Sequence, residues 1–103
     1  FKGGLMRYFV DIDGTICANT NGEYEKATPF PSNIKKVNDL YDAGNEVVYW
    51  TARGGTTGTD WTELTTKQLK EWGVKYTELK MWKPHYDLFI CDKAINSDRY
   101  FGE

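Results

Sequence analysis

Residues 8–15 read Tyr8-Phe9-Val10-Asp11-Ile12-Asp13-Gly14-Thr15, an apolar run that ends in two carboxylates and a glycine. Consecutive apolar and aromatic residues without polar alternation are typical of a strand that is buried on both faces. Gly14 favours a sharp turn directly after this strand, because glycine adopts backbone conformations that other residues avoid. The stretch therefore predicts a first strand whose carboxyl end carries Asp11 and Asp13.

Strands and helices alternate along the rest of the chain. The remaining predicted elements are a helix from Ser32 to Gly44, a strand at 47–50, a helix from Asp60 to Gly73, a strand at 76–81 and a strand at 87–91. This succession favours an α/β fold with helices packed on a parallel sheet. We predict a three-layer Rossmann-like sandwich with a short parallel sheet in the strand order 3-2-1-4.

The stretch between Thr15 and Pro31 is polar and rich in turn-forming residues. Its Asn21-Gly22 pair is a strong signal for a tight two-residue hairpin turn. We predict a β-hairpin flap beside the end of the first strand.

Polar and charged side chains follow each of the four predicted strands. They are Asp11, Asp13, Thr51, Lys83 and Asp92. Ligands of open parallel sheets bind outside the carboxyl ends of the strands. Three carboxylates crowded at one sheet edge would repel each other unless a cation lay among them. The pattern predicts a site for Mg²⁺ together with a phosphate group.

These segments resemble, in order, the four motifs of the haloacid dehalogenase superfamily of phosphatases. The matching segments are Asp11-Ile12-Asp13-Gly14-Thr15, Thr51-Ala52-Arg53-Gly54, Lys83-Pro84 and Asp92. The resemblance spans nearly the whole chain from Met6. It implies one capless domain over residues 6–103 that hydrolyses phosphate monoesters with Mg²⁺ through an aspartyl-phosphate intermediate.

The resemblance also implies a catalytic role for four residues. Asp11 would be the nucleophile, and Asp13 would be the general acid that protonates the leaving oxygen and then activates water. Thr51 would hold phosphate oxygens, and Lys83 would neutralise the charge that spreads over them in the transition state. His85, the only histidine, is expected to be an exposed loop residue.

The same resemblance supplies binding and metal roles. Gly14, Ala52 and Arg53 would join Thr51 and Lys83 around the phosphate, although Arg53 equally fits a local salt bridge. The metal ligands would be Asp11, the backbone carbonyl of Asp13, and Asp92.

The chain departs from the family pattern at one position. Relatives often carry two adjacent aspartates at the end of the fourth strand, and the first of these aligns with Cys91. Asp98 is a distant substitute. This departure bears on how tightly the site would hold Mg²⁺.

Composition restricts the wider possibilities. The chain has 103 residues, room for one domain, with 13 Lys and Arg against 15 Asp and Glu and a net charge of -2. Tight binding of nucleic acid is not expected, because no block of basic residues is present. No apolar run is long enough to span a membrane, so a soluble cytoplasmic protein is expected. Residues 1–5, which precede Met6, fit the remnant of an expression tag.

The substrate is open at this stage. An open site admits a large substrate such as a phosphorylated macromolecule or a nucleic-acid end, or it is closed by a second copy of the chain in a homo-oligomer. The sequence favours a small phosphorylated metabolite, a sugar phosphate or a nucleotide, because no basic groove is evident. Two rivals remain: a phosphate- or metal-binding regulatory module without turnover, and a receiver domain that is phosphorylated only once.

Overall fold

The computed structural model describes residues 5–55 and 58–102. Its elements are β1 (Arg7–Val10), a 3-10 helix (Tyr24–Lys26), α1 (Pro31–Asp42), β2 (Glu46–Trp50), α2 (Thr62–Glu71), β3 (Glu78–Lys80) and α3 (Ser97–Phe101). Residues 1–4 of the expected tag remnant, residues 56–57 of the loop after β2, and residue 103 lie outside the described residues. None of the helices in the described ranges is long and apolar enough to cross a membrane.

The three strands form one parallel sheet in the order β1-β2-β3. Val10 pairs with Tyr49, and Tyr49 pairs with Leu79 on its other side. The strands therefore end at nearly the same level, and the residues that follow them meet at one edge of the sheet. The predicted α/β fold with a short parallel sheet is confirmed.

The hydrophobic core lies between β2 and the helices. All three central residues of β2 are buried, and Val47 and Tyr49 share one cluster with side chains of both long helices: Ile34, Val37 and Leu69. Ile34 and Val37 lie one turn apart on α1, so they point to the same face of that helix. Burial of each such side chain contributes roughly 1.5–3 kcal/mol. This packing fixes the helices against the sheet and so fixes the positions of the strand ends.

The opposite face of the sheet is less covered. Phe9 points away from that core because side chains alternate along a strand, and it remains 50% exposed while its ring contacts Trp50 at 5.9 Å between centroids. Phe101 of α3 packs against the same core cluster as the two long helices. The expected third layer is therefore not seen among the described residues, where the helices contribute to a single core.

The predicted fourth strand is wrong for this structure. Residues 87–91 belong to no strand, and Leu88 and Ile90 are 77% and 89% exposed. An apolar run becomes a strand only when its backbone pairs with a neighbour, and within the described residues β1 pairs with β2 alone. Among the described residues, no strand therefore lies beside β1 at the position predicted for strand 4. Residues 81–96, which contain no helix or strand, are called the C-terminal loop below.

The predicted β-hairpin flap is replaced by a different excursion, residues 18–30, called the flap below. Asn21 and Gly22 do form a turn, with φ values of 55° and 97°. The base of the flap is held by antiparallel backbone bonds, from Ala18 N to the Thr28 carbonyl at 2.9 Å and from Phe30 N to the Ile16 carbonyl at 2.8 Å. Between turn and base the chain forms the 3-10 helix, so the hairpin strands do not extend.

Candidate active site

A cavity of about 350 Å³ lies at the carboxyl ends of β1 and β2. It is lined by Asp11, Asp13, Asn19, Thr51, Ala52, Lys83, Pro84, His85 and Tyr86. Five of these residues were singled out from the sequence: Asp11, Asp13, Thr51, Ala52 and Lys83. They come from three separate segments of the chain, so the fold brings together groups that are far apart in sequence.

The segment after β1 is held by a compact set of backbone bonds. The Ile12 carbonyl accepts from Thr15 N at 3.0 Å and from Ile16 N at 2.9 Å. Gly14 has φ 84°, and a Cβ at this position would lie 3.0 Å from the side-chain nitrogen of Asn19. Ile12 and Ile16 are fully buried and anchor the turn in the core. Glycine is favoured here by the positive φ of the turn, and a larger residue would also require the Asn19 side chain to shift. Gly14 does not itself line the cavity.

Asp11 is a largely buried carboxyl group at the end of β1. Burial raises the pKa of Asp11 above its ordinary value, because a buried anion loses solvation. The charge of Lys83 and a hydrogen bond from the Ile12 backbone oppose this rise, whereas the nearby charge of Asp13 adds to it. Arg53 supplies a further, smaller opposing charge, and burial is the largest cause of the raised pKa.

Asp13 is bound by a buried arginine. Arg53 Nε donates to Asp13 Oδ2 and Arg53 Nη2 donates to Asp13 Oδ1, both at 2.9 Å. The Arg53 side chain has no exposure, and that of Asp13 retains 15%. Such a bidentate pair fixes both the distance and the plane of the carboxylate.

The remaining donors of Arg53 point into the protein. Nη1 donates to Thr65 Oγ1 at 3.0 Å and to Gln68 Oε1 at 2.6 Å, both on α2. The expected contact of the Arg53 side chain with a substrate phosphate does not fit this arrangement, because Arg53 is buried and does not line the cavity. Of the two roles open from the sequence, the structure shows the local salt bridge.

Tyr24 of the flap covers the outer side of Arg53. The Arg53 guanidinium carbon lies 4.7 Å from the centre of the Tyr24 ring, a distance at which a cation is attracted to an aromatic face. Gln68 Nε2 donates to the Tyr24 carbonyl at 2.7 Å, and Trp61 packs edge-on against the Tyr24 ring. These contacts connect the flap to α2 and close the site on the Asp13 side.

The loop after β2 is bonded to the loop after β3. Thr51 N donates to the Lys80 carbonyl at 3.0 Å, and Lys83 N donates to the Thr51 carbonyl at 2.9 Å. The Thr51 hydroxyl oxygen accepts from Arg53 N at 3.2 Å. The position of Thr51 at the cavity wall is therefore fixed by hydrogen bonds of both its backbone N–H and its carbonyl. The residue is only 1% exposed.

Lys83 follows a strained residue. Trp82 has φ 66°, a left-handed conformation that is uncommon for a bulky residue and often marks a functional position. Lys83 Nζ lies 5.6 Å from the centre of the Trp50 ring and 5.3 Å from that of the Tyr86 ring. The two rings hold the ammonium group near Asp11, whose pKa it lowers.

Sequence reasoning missed part of the cavity wall. Asn19, Pro84, His85 and Tyr86 all line the cavity, yet none was assigned to a site. The signal for Pro84, His85 and Tyr86 was present, since they directly follow Lys83 in the chain. For Asn19 the only signal was its place in the flap, and its side-chain direction depends on the turn at Gly14.

The structure does not bring Asp92 to this cavity. Asp92 and Cys91 are exposed in the C-terminal loop, where the Cys91 thiol contacts the Asp92 carboxylate at 3.8 Å. Asp98, the distant substitute, lies in α3 and does not line this cavity. Among the described residues no group of three metal-ligating side chains is assembled. The predicted metal set is therefore incomplete because the fourth strand that would deliver Asp92 is not formed.

The groups present still fit a hydrated Mg²⁺ ion. Mg²⁺ usually keeps several waters and takes one or two carboxylates together with substrate phosphate. Asp11 supplies such a carboxylate at the cavity, where burial deprives it of solvation. The backbone carbonyl of Asp13 is a second oxygen donor, whereas the Asp13 carboxylate is already bound to Arg53.

Comparison with known proteins supports the fold. The chain is similar to the crystal structure of an MCSG target from Vibrio cholerae, with a TM-score of 0.82 and 25% sequence identity over 94% of this chain and 88% of that chain. No family model matches the sequence, and no curated protein matches it. These comparisons therefore support the fold and do not indicate an activity.

Proposed function

We propose that this chain hydrolyses phosphate monoesters through a covalent phosphoryl group on Asp11. The observation that carries the proposal is the single cavity lined by Asp11, Asp13, Thr51 and Lys83, which come from three segments of the chain. A carboxylate nucleophile, a second carboxyl group, a hydroxyl and an ammonium group are the parts that such a reaction requires. The resemblance of these segments to the motifs of haloacid dehalogenase phosphatases supports the same reaction.

The first half-reaction transfers the phosphoryl group to the protein. A carboxylate oxygen of Asp11 forms a bond to phosphorus while the bond from phosphorus to the ester oxygen breaks. The Asp13 carboxyl group gives its proton to the departing oxygen, which leaves as an alcohol. Lys83 and the Thr51 hydroxyl stabilise the charge on the other phosphate oxygens.

The second half-reaction restores the protein. Asp13, now a carboxylate, takes a proton from water as the water oxygen bonds to phosphorus and the bond between phosphorus and Asp11 breaks. Inorganic phosphate leaves, and Asp13 is protonated for the next cycle. Mg²⁺, held by Asp11 and the Asp13 carbonyl, would supply positive charge to the phosphate.

A small phosphorylated metabolite, a sugar phosphate or a nucleotide, is the substrate class we propose. The cavity volume of about 350 Å³ lies at the lower end of the range of roughly 300–1,000 Å³ that is usual for small-molecule sites. Tyr86 and His85 line the same cavity and provide an aromatic and a polar contact for the part of the substrate beyond the phosphate.

A regulatory module that binds phosphate without turnover is the second candidate. It is favoured by the position of Asp92, which lies outside the cavity and leaves the metal site with a single side-chain ligand. A module of this kind would bind phosphate without taking a phosphoryl group, whereas a receiver-like module would accept one on Asp11 and retain it.

The test is phosphate release from a panel of phosphosugars, nucleotides and p-nitrophenyl phosphate at millimolar Mg²⁺. We expect many turnovers for the wild type, none for Asp11→Asn, and full activity for Asp39→Asn, a matched change of an exposed carboxylate on α1. Acid quenching with radiolabelled substrate should trap label on the wild type and not on Asp11→Asn. Stoichiometric labelling without release would favour the receiver-like module, and neither labelling nor release would favour the regulatory module. Activity retained in Asp11→Asn would exclude Asp11 as nucleophile.

A further inference from the structure

The arginine that binds Asp13 is itself fixed by α2. Arg53 Nη1 donates to both Thr65 Oγ1 and Gln68 Oε1, while Nε and Nη2 face Asp13. We call these four residues, Asp13, Arg53, Thr65 and Gln68, the Arg53 network. Arg53, Thr65 and Gln68 are all buried, with exposures of 1%, 1% and 6%. The guanidinium group is planar, so bonds at Nη1 also fix the direction of the two nitrogens that hold Asp13.

Gln68 has both ends of its amide engaged. Its oxygen accepts from Arg53 at 2.6 Å, and its nitrogen donates to the Tyr24 carbonyl at 2.7 Å. Loss of either partner would leave a buried polar atom without a hydrogen bond, which is costly. Gln68 therefore ties the orientation of Arg53 to both the helix and the flap.

The Arg53 network sets the orientation of the Asp13 carboxyl group at the cavity. Asp13 Oδ1 accepts from Arg53 and also from the Cys17 thiol at 3.5 Å, whereas Oδ2 accepts only from Arg53 and retains a second lone pair. The Asp13 side chain keeps 15% exposure. A proton is transferred efficiently only when donor and acceptor lie within hydrogen-bond reach and are aligned. The plane of the Asp13 carboxyl group, and with it the direction of its free lone pair, is set by Arg53.

We propose that Thr65 and Gln68 are positioning residues that act through Arg53 to aim Asp13 at the leaving oxygen of the substrate. The inference rests on the proposed function, because it assigns these residues to the proton transfer of the first half-reaction. In this proposal Arg53 orients the general acid, Asp13, and does not bind the substrate phosphate, which was the other role that the sequence allowed. Neither Thr65 nor Gln68 touches the substrate.

The proposal predicts a dependence on the leaving group. An alkyl phosphate needs a proton on its departing oxygen, whereas p-nitrophenolate leaves without one. A misaligned acid should therefore slow the first reaction and spare the second. A misplacement of about 1 Å is enough to cost roughly 100-fold, so we expect kcat/KM for the alkyl ester to fall roughly 10- to 100-fold.

The experiment compares kcat/KM for the best phosphosugar of the panel with kcat/KM for p-nitrophenyl phosphate in Gln68→Met, Thr65→Val and Thr65→Ser. In Gln68→Met and Thr65→Val we expect kcat/KM to fall for the phosphosugar but to change by less than about threefold for p-nitrophenyl phosphate. This selective loss is the result expected when only the proton transfer is impaired. Thr65→Ser keeps the hydroxyl acceptor and should retain the wild-type ratio. Lys67→Met, an exposed change on the same helix, is the control for Gln68→Met.

Two results would overturn the proposal. An equal loss for both esters would show that Thr65 and Gln68 act only on folding, and no loss for either would show that Asp13 needs no positioning by α2. If Gln68→Met fails to fold, the matched pair Thr65→Val and Thr65→Ser decides the question alone. A wild-type protein that turns over neither ester refutes the proposed function, a result that is distinct from a changed ratio in the variants.

Discussion

The two walls of the cavity are built in opposite ways. On one side the cavity is lined by Asp13, which is held by the buried Arg53, whose three guanidinium nitrogens are all hydrogen-bonded. On the other side Lys83 lies in the C-terminal loop, of which residues 84–96 are all exposed. Both walls supply groups that phosphate chemistry would use, but only the first is held by a core.

The contrast follows from how each wall is connected to the sheet. Asp13 and Arg53 follow β1 and β2. The central residues of β2 are buried, and α2 packs on the same core. The C-terminal loop leaves the sheet after β3, a strand of three residues, and no described strand follows it. Rigid elements place side chains accurately, whereas loops with few buried contacts open at low free-energy cost. The acid side of the site is therefore preorganised, and the lysine side is where binding can change the structure.

The largest effect that tests this comparison is expected in Arg53→Met. Removal of one partner of a buried ion pair leaves the other charge uncompensated, which costs roughly 3–5 kcal/mol when both groups are buried. Because Asp13 keeps 15% of its side-chain exposure, we expect a loss near the lower end, about 3 kcal/mol of unfolding free energy. Urea denaturation of the variant and the wild type measures it.

Arg7→Met is the matched control for this change. Arg7 pairs with Glu46 at 2.8 Å, but the side chains are 64% and 52% exposed. Exposed pairs contribute roughly 0–1 kcal/mol. If both variants lost the same small amount, the Asp13 pair would be solvated and the two walls would not differ as described.

The core beneath the site contains one unfavourable feature, at Tyr49. Its hydroxyl is buried, and no hydrogen-bond partner is present for it in the described part of the chain. An unsatisfied buried hydroxyl costs roughly 1–3 kcal/mol. Tyr49→Phe removes only this oxygen, so we expect the free energy of unfolding to rise by about 1 kcal/mol. Thermal denaturation that shows a loss of stability instead would mean that the hydroxyl is satisfied by water.

The same contrast separates what could be predicted from the sequence from what could not. The positions of Asp11 and Thr51 follow from two apolar runs, and that of Lys83 from the strand predicted at 76–81, because parallel strands carry their next residues to a common edge. The order of strands and helices is enough to predict that these three residues lie close together. Their catalytic roles stay predictions.

Other features depend on information that periodicity does not contain. The pairing of Arg53 with Asp13 requires the direction of two side chains and the place of α2, which no local pattern specifies. Asp92 was expected at the site because Leu88-Phe89-Ile90 resembles a buried strand, yet a strand forms only with a backbone partner. The error at Asp92 thus has the same cause as the missing fourth strand.

The pH dependence of stability tests the charge balance at Asp11. Burial raises the pKa of Asp11 in the folded chain, so the neutral form is favoured on folding. The stabilisation from this group is complete below the unfolded pKa of about 3.8 and is lost as the pH rises through the folded pKa. Asp11→Asn removes the ionisation. The variant should therefore gain more unfolding free energy over the wild type at pH 7 than at pH 4. We expect a gain smaller than that of Tyr49→Phe, because Lys83 offsets part of the burial.

Urea denaturation of Asp11→Asn and the wild type at both pH values measures this difference. Asp39→Asn, which removes an exposed carboxylate on α1, controls for the loss of a negative charge. A variant that is less stable than the wild type at pH 7 would show that the pair with Lys83 outweighs the cost of burying Asp11. Addition of Mg²⁺ should raise the stability of the wild type and leave Asp11→Asn unchanged.

The smallest effect is expected in the C-terminal loop, where Ile90 is 89% exposed. Substitution of an exposed side chain that packs against nothing usually changes stability by less than about 0.5 kcal/mol. We therefore expect Ile90→Asp to unfold at the same urea concentration as the wild type, whereas Val47→Asp, on the buried strand β2, should not fold. A loss above about 2 kcal/mol at Ile90 is the size expected when a buried apolar side chain is replaced by a charge. That result would mean that residues 87–91 are buried in solution, and the loop wall of the cavity would then be as firmly built as the Arg53 network.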